Sequence, residues 1–424
     1  MIKMLRRYCL YILLVSTSVL GKEIFTLKHI ERHLTEKNPY IYSAIGQQYI
    51  DTARIQTAQG DLDTRLYGAY DKKDYPVSTG EFSDIFLSKP TELGTEFIAG
   101  YRKAEGIQEY NNIKTGGDGE FRIGVKVPVF SLINEMNERK YKIDSAKIHA
   151  TKSTFKAQNN LRNLYTQIML SYYELLYYHE LVKLEKRLYA KAKKRNGFIT
   201  QKVNSGDMAP IELLESDQQI ISREQRVLGT KRSYTQALQT FLKYMNISQK
   251  EFDQKYVLPT LKMLKKEKII LENVMNKALE SRQDLKMLEY QREKLNLDTV
   301  YNSLDKYPKL NLFAYGVHDM EYGEGMKVGL QFEIPLERRK YEGKKLEIKK
   351  GITQLEEEKN RLILELKTNL NHLTYSMNII NQNIDLGKRE TKIEVKIFDS
   401  MNLQENKYCT RCFPCHLARK EKHT

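Results

Sequence analysis

Met326-Lys327-Val328-Gly329-Leu330-Gln331-Phe332-Glu333-Ile334-Pro335 alternates apolar and polar or small residues with period two. Successive strand side chains point to opposite faces, so Met326, Val328, Leu330, Phe332 and Ile334 share one face, and Lys327, Gly329, Gln331 and Glu333 the other. A strand with one oily and one wet face either covers a soluble core or borders lipid. Length separates the two cases. This run and the preceding one at 308–317 hold ten residues each, within the ~9–11 that a tilted strand needs to cross a bilayer. A Gly-rich turn joins them.

Working outward, the same order occurs twice. A helical pattern over 38–60 precedes the strand 65–70 (RLYGAY) and, beyond a stretch rich in Gly, Ser, Thr and Lys, the strand 121–129 (FRIGVKVPV). In the second half a helix over 271–307 precedes the strands 309–315 and 326–335. The helix starts match at an offset of 244 and the strand ends at 207, so the first strand pair carries 37 extra residues. Their composition predicts a long loop over 71–120, with further strand conceivable at 94–102. Four strands leave two open edges, and a membrane tolerates no unpaired backbone polar groups, so other copies of the chain must complete the sheet. Two copies would supply eight strands and three would supply twelve.

Each strand pair is followed by a helical run too long for a globular core. Residues 135–203 would extend roughly 100 Å at ~1.5 Å per residue. Leu161, Leu164, Ile168, Leu175 and Val182 follow heptad spacing, as do Ile352, Leu355, Leu362, Leu366, Leu373, Met377, Ile380 and Ile384. Tyr172, Tyr173, Tyr177 and Tyr178 fit an interhelical core better than a ligand box. The pattern breaks at Val203, Asn204, Ser205, Gly206, Asp207, Met208, Ala209, Pro210 and Ile211, where Gly ends one helix, Asp207 can cap the next and Pro210 can open it. This is a hairpin tip. The return helix, 211–245, sets Leu214, Ile221, Leu228, Leu238 and Leu242 toward its partner.

Composition narrows the function. The chain has 424 residues, 41% hydrophobic, and a net charge of +16 from 70 Lys+Arg against 54 Asp+Glu. The charges are interleaved along helix faces, which indicates solvated surfaces rather than nucleic-acid readout. Residues 1–7 carry Lys3, Arg6 and Arg7, residues 8–20 are nearly all apolar, and a cleavage site at Val19-Leu20-Gly21 completes a secretory signal peptide. The expected segments are therefore the signal peptide 1–21, a first repeat 22–250, a connector 251–270, a second repeat 271–408 and a Cys-rich tail 409–424.

These features in this order resemble the TolC family of outer-membrane efflux proteins. The stretches that carry the likeness are 119–128 (GEFRIGVKVP), 203–214 (VNSGDMAPIELL) and 334–339 (IPLERR). The resemblance implies a mainly helical fold with membrane strands. Long coiled-coil hairpins would form a periplasmic tunnel, and a homotrimer would close a twelve-stranded barrel in the outer-membrane lipid. It further implies a passive conduit for efflux or type I secretion that meets a periplasmic adaptor and an inner-membrane pump. On that analogy Leu66, Val125, Val127, Leu312, Val328, Leu330 and Phe332 lie in barrel strands, and the tip 203–211 touches the adaptor. After Tyr408 the family pattern calls for a second tip and return helix. Only sixteen residues follow, which suggests a frameshifted or truncated end.

Other signals point elsewhere more weakly. Cys412-Phe413-Pro414-Cys415-His416 matches the haem-attachment pattern, and Cys409, Cys412, Cys415 and His416 offer four zinc ligands, but the spacing and the short remaining tail disfavour both. Gly116-Gly117-Asp118-Gly119 precedes a strand, not a helix, so it is a turn rather than a phosphate cradle. No nucleophile, base or metal set stands at motif spacing. The expectation is no enzyme, no cofactor, no metal and no nucleic-acid partner. The rival function is a periplasmic coiled-coil adaptor or structural protein with a soluble strand domain.

Overall fold

Asn38 and Arg282 occupy the same place in the two repeats: each is the N-cap of a 21-residue helix, Pro39–Gln59 (α2) and Gln283–Ser303 (α8). The Asn38 side chain accepts from Tyr40 N, and Pro39 supplies a first-turn residue that has no N–H to leave orphaned. The structure, a computed structural model, describes residues 22–76, 78–106, 115–260, 263 and 274–412. The signal segment and residues 413–424 lie outside it. The chain divides into one unit of Met1–Lys268 with Arg282–Leu355, and a second of Ile269–Ser281 with Glu356–Thr424.

In the first unit, strand β1 (Glu23–Ile24) and helix α1 (Leu27–His33) precede α2. After the strands described below come the short α3 (Val129–Ile133), the 67-residue α4 (Glu138–Asn204), α5 (Pro210–Met245), α6 (Gln249–Lys255) and strand β6 (Tyr256–Val257). Helix α4 packs against α5, α2 and α8. Tyr141 stacks on Tyr301 with centroids 4.1 Å apart and donates its hydroxyl to Asp298 at 2.7 Å, while Phe155 stacks on Tyr290.

The densest core lies where β1 pairs in parallel with β6. Phe25 is fully buried there and meets His29, Tyr172, Phe241, Phe252 and Tyr256. Ile168, Leu175, Leu176, Leu238, Leu242 and Met245 complete it. The Tyr172 hydroxyl donates to Phe25 O at 3.2 Å, and burial, reinforced by Tyr173, pushes its pKa up to about 12. Thus Ile168 and Leu175 of the expected heptad row are core, as is Tyr172, but Tyr173 and Tyr177 lie on the surface.

The return helix corrects the sequence expectation. Leu238 and Leu242 do face the partner helix, together with Val227, Ala237, Phe241 and Met245, whereas Leu214, Ile221 and Leu228 are each more than half exposed. Heptad spacing marks a row but not its partner, and these three residues lie on the exposed side of α5.

The larger correction is in the sheet. Within the expected loop 71–120, residues 71–75, 78–90 and 96–106 are strand. β2 (Arg65–Tyr75), β3 (Ser78–Pro90), β4 (Glu96–Gly106), β5 (Glu120–Pro128), β7 (Lys309–Asp319) and β8 (Gly323–Glu333) form one antiparallel sheet in that order. Among the described residues six strands rather than four make up this sheet. The surplus residues build the hairpin β3–β4, paired with β2 over eleven residues and with β5 over seven. Ser, Thr, Gly, Lys and Asp are loop-prone in isolation, but here both flanking strands satisfy the backbone, and sheet context outweighs propensity.

The second unit contains α7 (Val274–Ser281) and the later part of α9 (Arg339–Cys412). No described helix is long and apolar enough to cross a membrane.

Candidate functional site

The sheet is two-faced along its whole width. One row runs Leu66, Leu87, Ala99, Ile123, Gly316, Met326 through all six strands. The same face carries Ile85, Phe97, Val328, Leu330 and Phe332, all exposed, and Met326 is 80% exposed. Leu66, Val125, Val127 and Leu312 also sit on it, so the seven strand positions expected from the sequence share one face. Val125 and Val127 are half-buried, but Leu66, Ile85, Phe97, Met326, Val328, Leu330 and Phe332 are each more than half exposed, an arrangement that costs free energy in water and none in hydrocarbon.

The opposite face is polar and internally paired. Asp84 of β3 lies between two arginines, accepting from Arg102 of β4 at 3.0 Å and from Arg122 of β5. Asp84 is 7% exposed as a side chain, and the Nε of each arginine is buried with no hydrogen-bond partner. Phe82 lies under Arg102 and Phe86 under Arg122, with ring centroids 5.0 and 5.7 Å from the guanidinium carbons. Arg65, Lys126, Lys327, Gln331 and Glu333 extend this face. Sequence reading missed the Asp84 clamp because its partners stand 18 and 38 residues away.

Three glycines on the wet face each stand opposite an aromatic residue. Gly100 pairs with Phe86, Gly124 with Tyr315 and Gly329 with Phe313. A Cβ on any of them would stand 2.2–2.4 Å from the facing residue. The Tyr315 and Phe313 rings thus lie flat on a neighbouring strand instead of projecting from the sheet, while at Gly100 the close atoms are the backbone and Cβ of Phe86.

At the end nearer the helices, the β3–β4 turn is fastened to α4. Asn137, the N-cap of α4, accepts from Arg139 N and Lys140 N at 2.9 and 3.1 Å and donates its Nδ2 to Glu92 O. Arg139 adds an ion pair to Glu96 at 3.7 Å. Gly94 takes φ +88° in this turn, close against Pro128 and Asn137.

The hairpin tip is a Schellman motif. Gly206 adopts φ +83°, its N–H donates to Val203 O at 3.1 Å, and Asp207 N donates to Lys202 O at 2.8 Å. Pro210 opens α5 as the sequence predicts. Asp207 does not cap it: Pro210 forces Ala209 into extended backbone, which makes Ala209 the N-cap, and the Asp207 carboxylate instead accepts from Ser205 Oγ at 2.7 Å. Asn204, Ser205, Gly206, Asp207, Pro210 and Ile211 are exposed, with Val203 and Met208 half-buried. No group of metal-ligating side chains occurs among the described residues. Cys409 and Cys412 end α9, while Cys415 and His416 lie outside the described residues.

No family profile and no curated protein sequence matches the chain. Solved structures do. CusC, a protein that forms a transmembrane channel, superposes with a TM-score of 0.57 at 10% identity, covering 84% of this chain and 80% of its own. The CmeC outer-membrane channel of Campylobacter jejuni gives 0.55 at 12% identity, with 84% of this chain and 73% of its own covered. The MtrE outer-membrane channel of Neisseria gonorrhoeae, in its open state, gives 0.56 at 12% identity, covering 81% and 72%. Identities this low speak for the fold alone. Its long helices and two-faced sheet give this chain the TolC-like fold of outer-membrane channel proteins.

Proposed function

We propose that the protein is the outer-membrane component of an efflux or type I secretion conduit in a Gram-negative bacterium. Three copies join sheet edges into a lipid-embedded barrel, and their helices continue it into the periplasm. The observation that carries this reading is the sheet itself, with an unbroken apolar row exposed on one face, a charge-paired surface on the other and an open edge at each side. Lipid satisfies the first face, water in a lumen the second, and neighbouring copies the edges. The exposed Leu214, Ile221 and Leu228 row supports a helical seam between copies.

The conduit is passive. It offers a water-filled path past lipid, so energy and substrate choice come from its partners. The tip 203–211 presents exposed polar backbone and Ile211 to a periplasmic adaptor, which links the conduit to an inner-membrane pump. The test is planar-bilayer recording of the purified protein with fractionation of the expressing cells. Outer-membrane recovery, a heat-modifiable gel band and discrete conductance steps are expected. A freely soluble monomer without conductance would refute the proposal.

A further inference from the structure

The hairpin β3–β4 bears on the width of the ring, and the inference rests on the conduit reading above. We propose that this hairpin is part of the barrel wall, so that three copies close an eighteen-stranded ring rather than the twelve that four strands per chain would give.

Four observations carry this. The hairpin is paired with β2 over eleven residues and with β5 over seven, so its removal would strip both strands of their partners rather than shorten a loop. Its strands hold thirteen and eleven residues, enough to span a bilayer. Its apolar side chains Ile85, Leu87, Phe97 and Ala99 continue the lipid-side row without a break, and its Asp84 pairs on the wet side with arginines of β4 and β5. Its turn is tied to the N-terminus of α4 through Asn137 and Arg139. The occupant of the sheet edges is a second copy: β2 and β8 are each eleven residues long and run in opposite directions, so β8 of one copy and β2 of the next meet antiparallel.

Ring size follows from geometry. With strands ~4.8 Å apart and tilted ~40°, the backbone radius rises from about 12 Å at twelve strands to about 18 Å at eighteen. The exit would then have roughly twice the cross-section, which admits bulkier cargo.

The chain contains no tryptophan, so a single introduced one reports its surroundings without background. Ile85→Trp and, separately, Leu330→Trp would be reconstituted as the full-length assembly in vesicles containing brominated lipid, with Gln331→Trp as the wet-face control and the complex mass measured in parallel. The proposal expects Ile85→Trp and Leu330→Trp to be quenched to the same extent, Gln331→Trp to be spared, and the mass to be three chains. Quenching at Leu330→Trp without quenching at Ile85→Trp places the hairpin outside the wall and overturns the eighteen-stranded ring while leaving the conduit reading intact. Absence of quenching at both overturns the conduit reading itself. Leu87→Trp replaces Ile85→Trp if the latter fails to assemble.

Discussion

Asn137 and Glu92 join the sheet to helix α4 through one amide. Its oxygen closes the first turn of α4 while its nitrogen donates to the Glu92 carbonyl 45 residues earlier in the chain.

Asn137→Ala removes both contacts, and the lost cap alone is expected to cost about 1 kcal/mol. Asn137→Asp keeps the acceptor and loses the donor. The temperature at which the folded gel band disappears should therefore fall in the order wild type, Asn137→Asp, Asn137→Ala; equal values for the two variants would show that the Glu92 contact contributes nothing.

Asp84→Ala leaves Arg102 and Arg122 facing each other with no counter-ion, and breaking a buried pair in this way is expected to destabilise by ~3–5 kcal/mol. Replacing all three residues together, Asp84→Leu with Arg102→Met and Arg122→Met, removes the uncompensated charge and should recover much of that loss. Denaturant titration of the wild type and the two variants measures the difference.

Gly124 and Gly329 separate backbone crowding from ring displacement. At Gly124 a methyl meets both the Tyr315 ring and Ala314 O, so Gly124→Ala should destabilise the sheet by roughly 1–3 kcal/mol. At Gly329 it meets only the Phe313 ring. The ring can swing off the wall, so Gly329→Ala should assemble normally and show reduced conductance, read in the same bilayer recordings.

His33 provides a pH dependence. Burial lowers its pKa, Glu251 opposes this, and Lys255 and His29 reinforce it; Tyr256 lies edge-on to the ring. A depressed folded-state value means that the unfolded chain binds the proton more readily, so this contribution is complete above the ordinary histidine range and is lost as pH falls through it. Thermal stability of the α1–α6 region should drop between pH 7.5 and 5.5, and His33→Gln should flatten that part of the profile.

Much of this architecture is legible in the sequence. The helices α2, α4 and α5 declare themselves through period, caps and Pro210, and β7 and β8 through strict alternation at membrane length. β3 does not, because Asp84 and Ser88 occupy inward positions whose partners, Arg102, Arg122 and Glu96, become neighbours only once the sheet forms. The same limit applies to Asn137, whose local capping signal gives no hint of Glu92. Leu214, Ile221 and Leu228 show a third kind of limit, since a repeat of seven says that a seam exists but not which surface closes it.

The seat of Phe25 is built from Tyr172, Phe241, Phe252 and Tyr256, the last of which leaves the ribosome some 230 residues after it. At ~5–20 residues per second this delay is on the order of tens of seconds. Throughout that interval Phe25, fully buried in the finished protein, has yet to meet the ring that closes over it. Its docking is then a late event that reports completion of the first repeat.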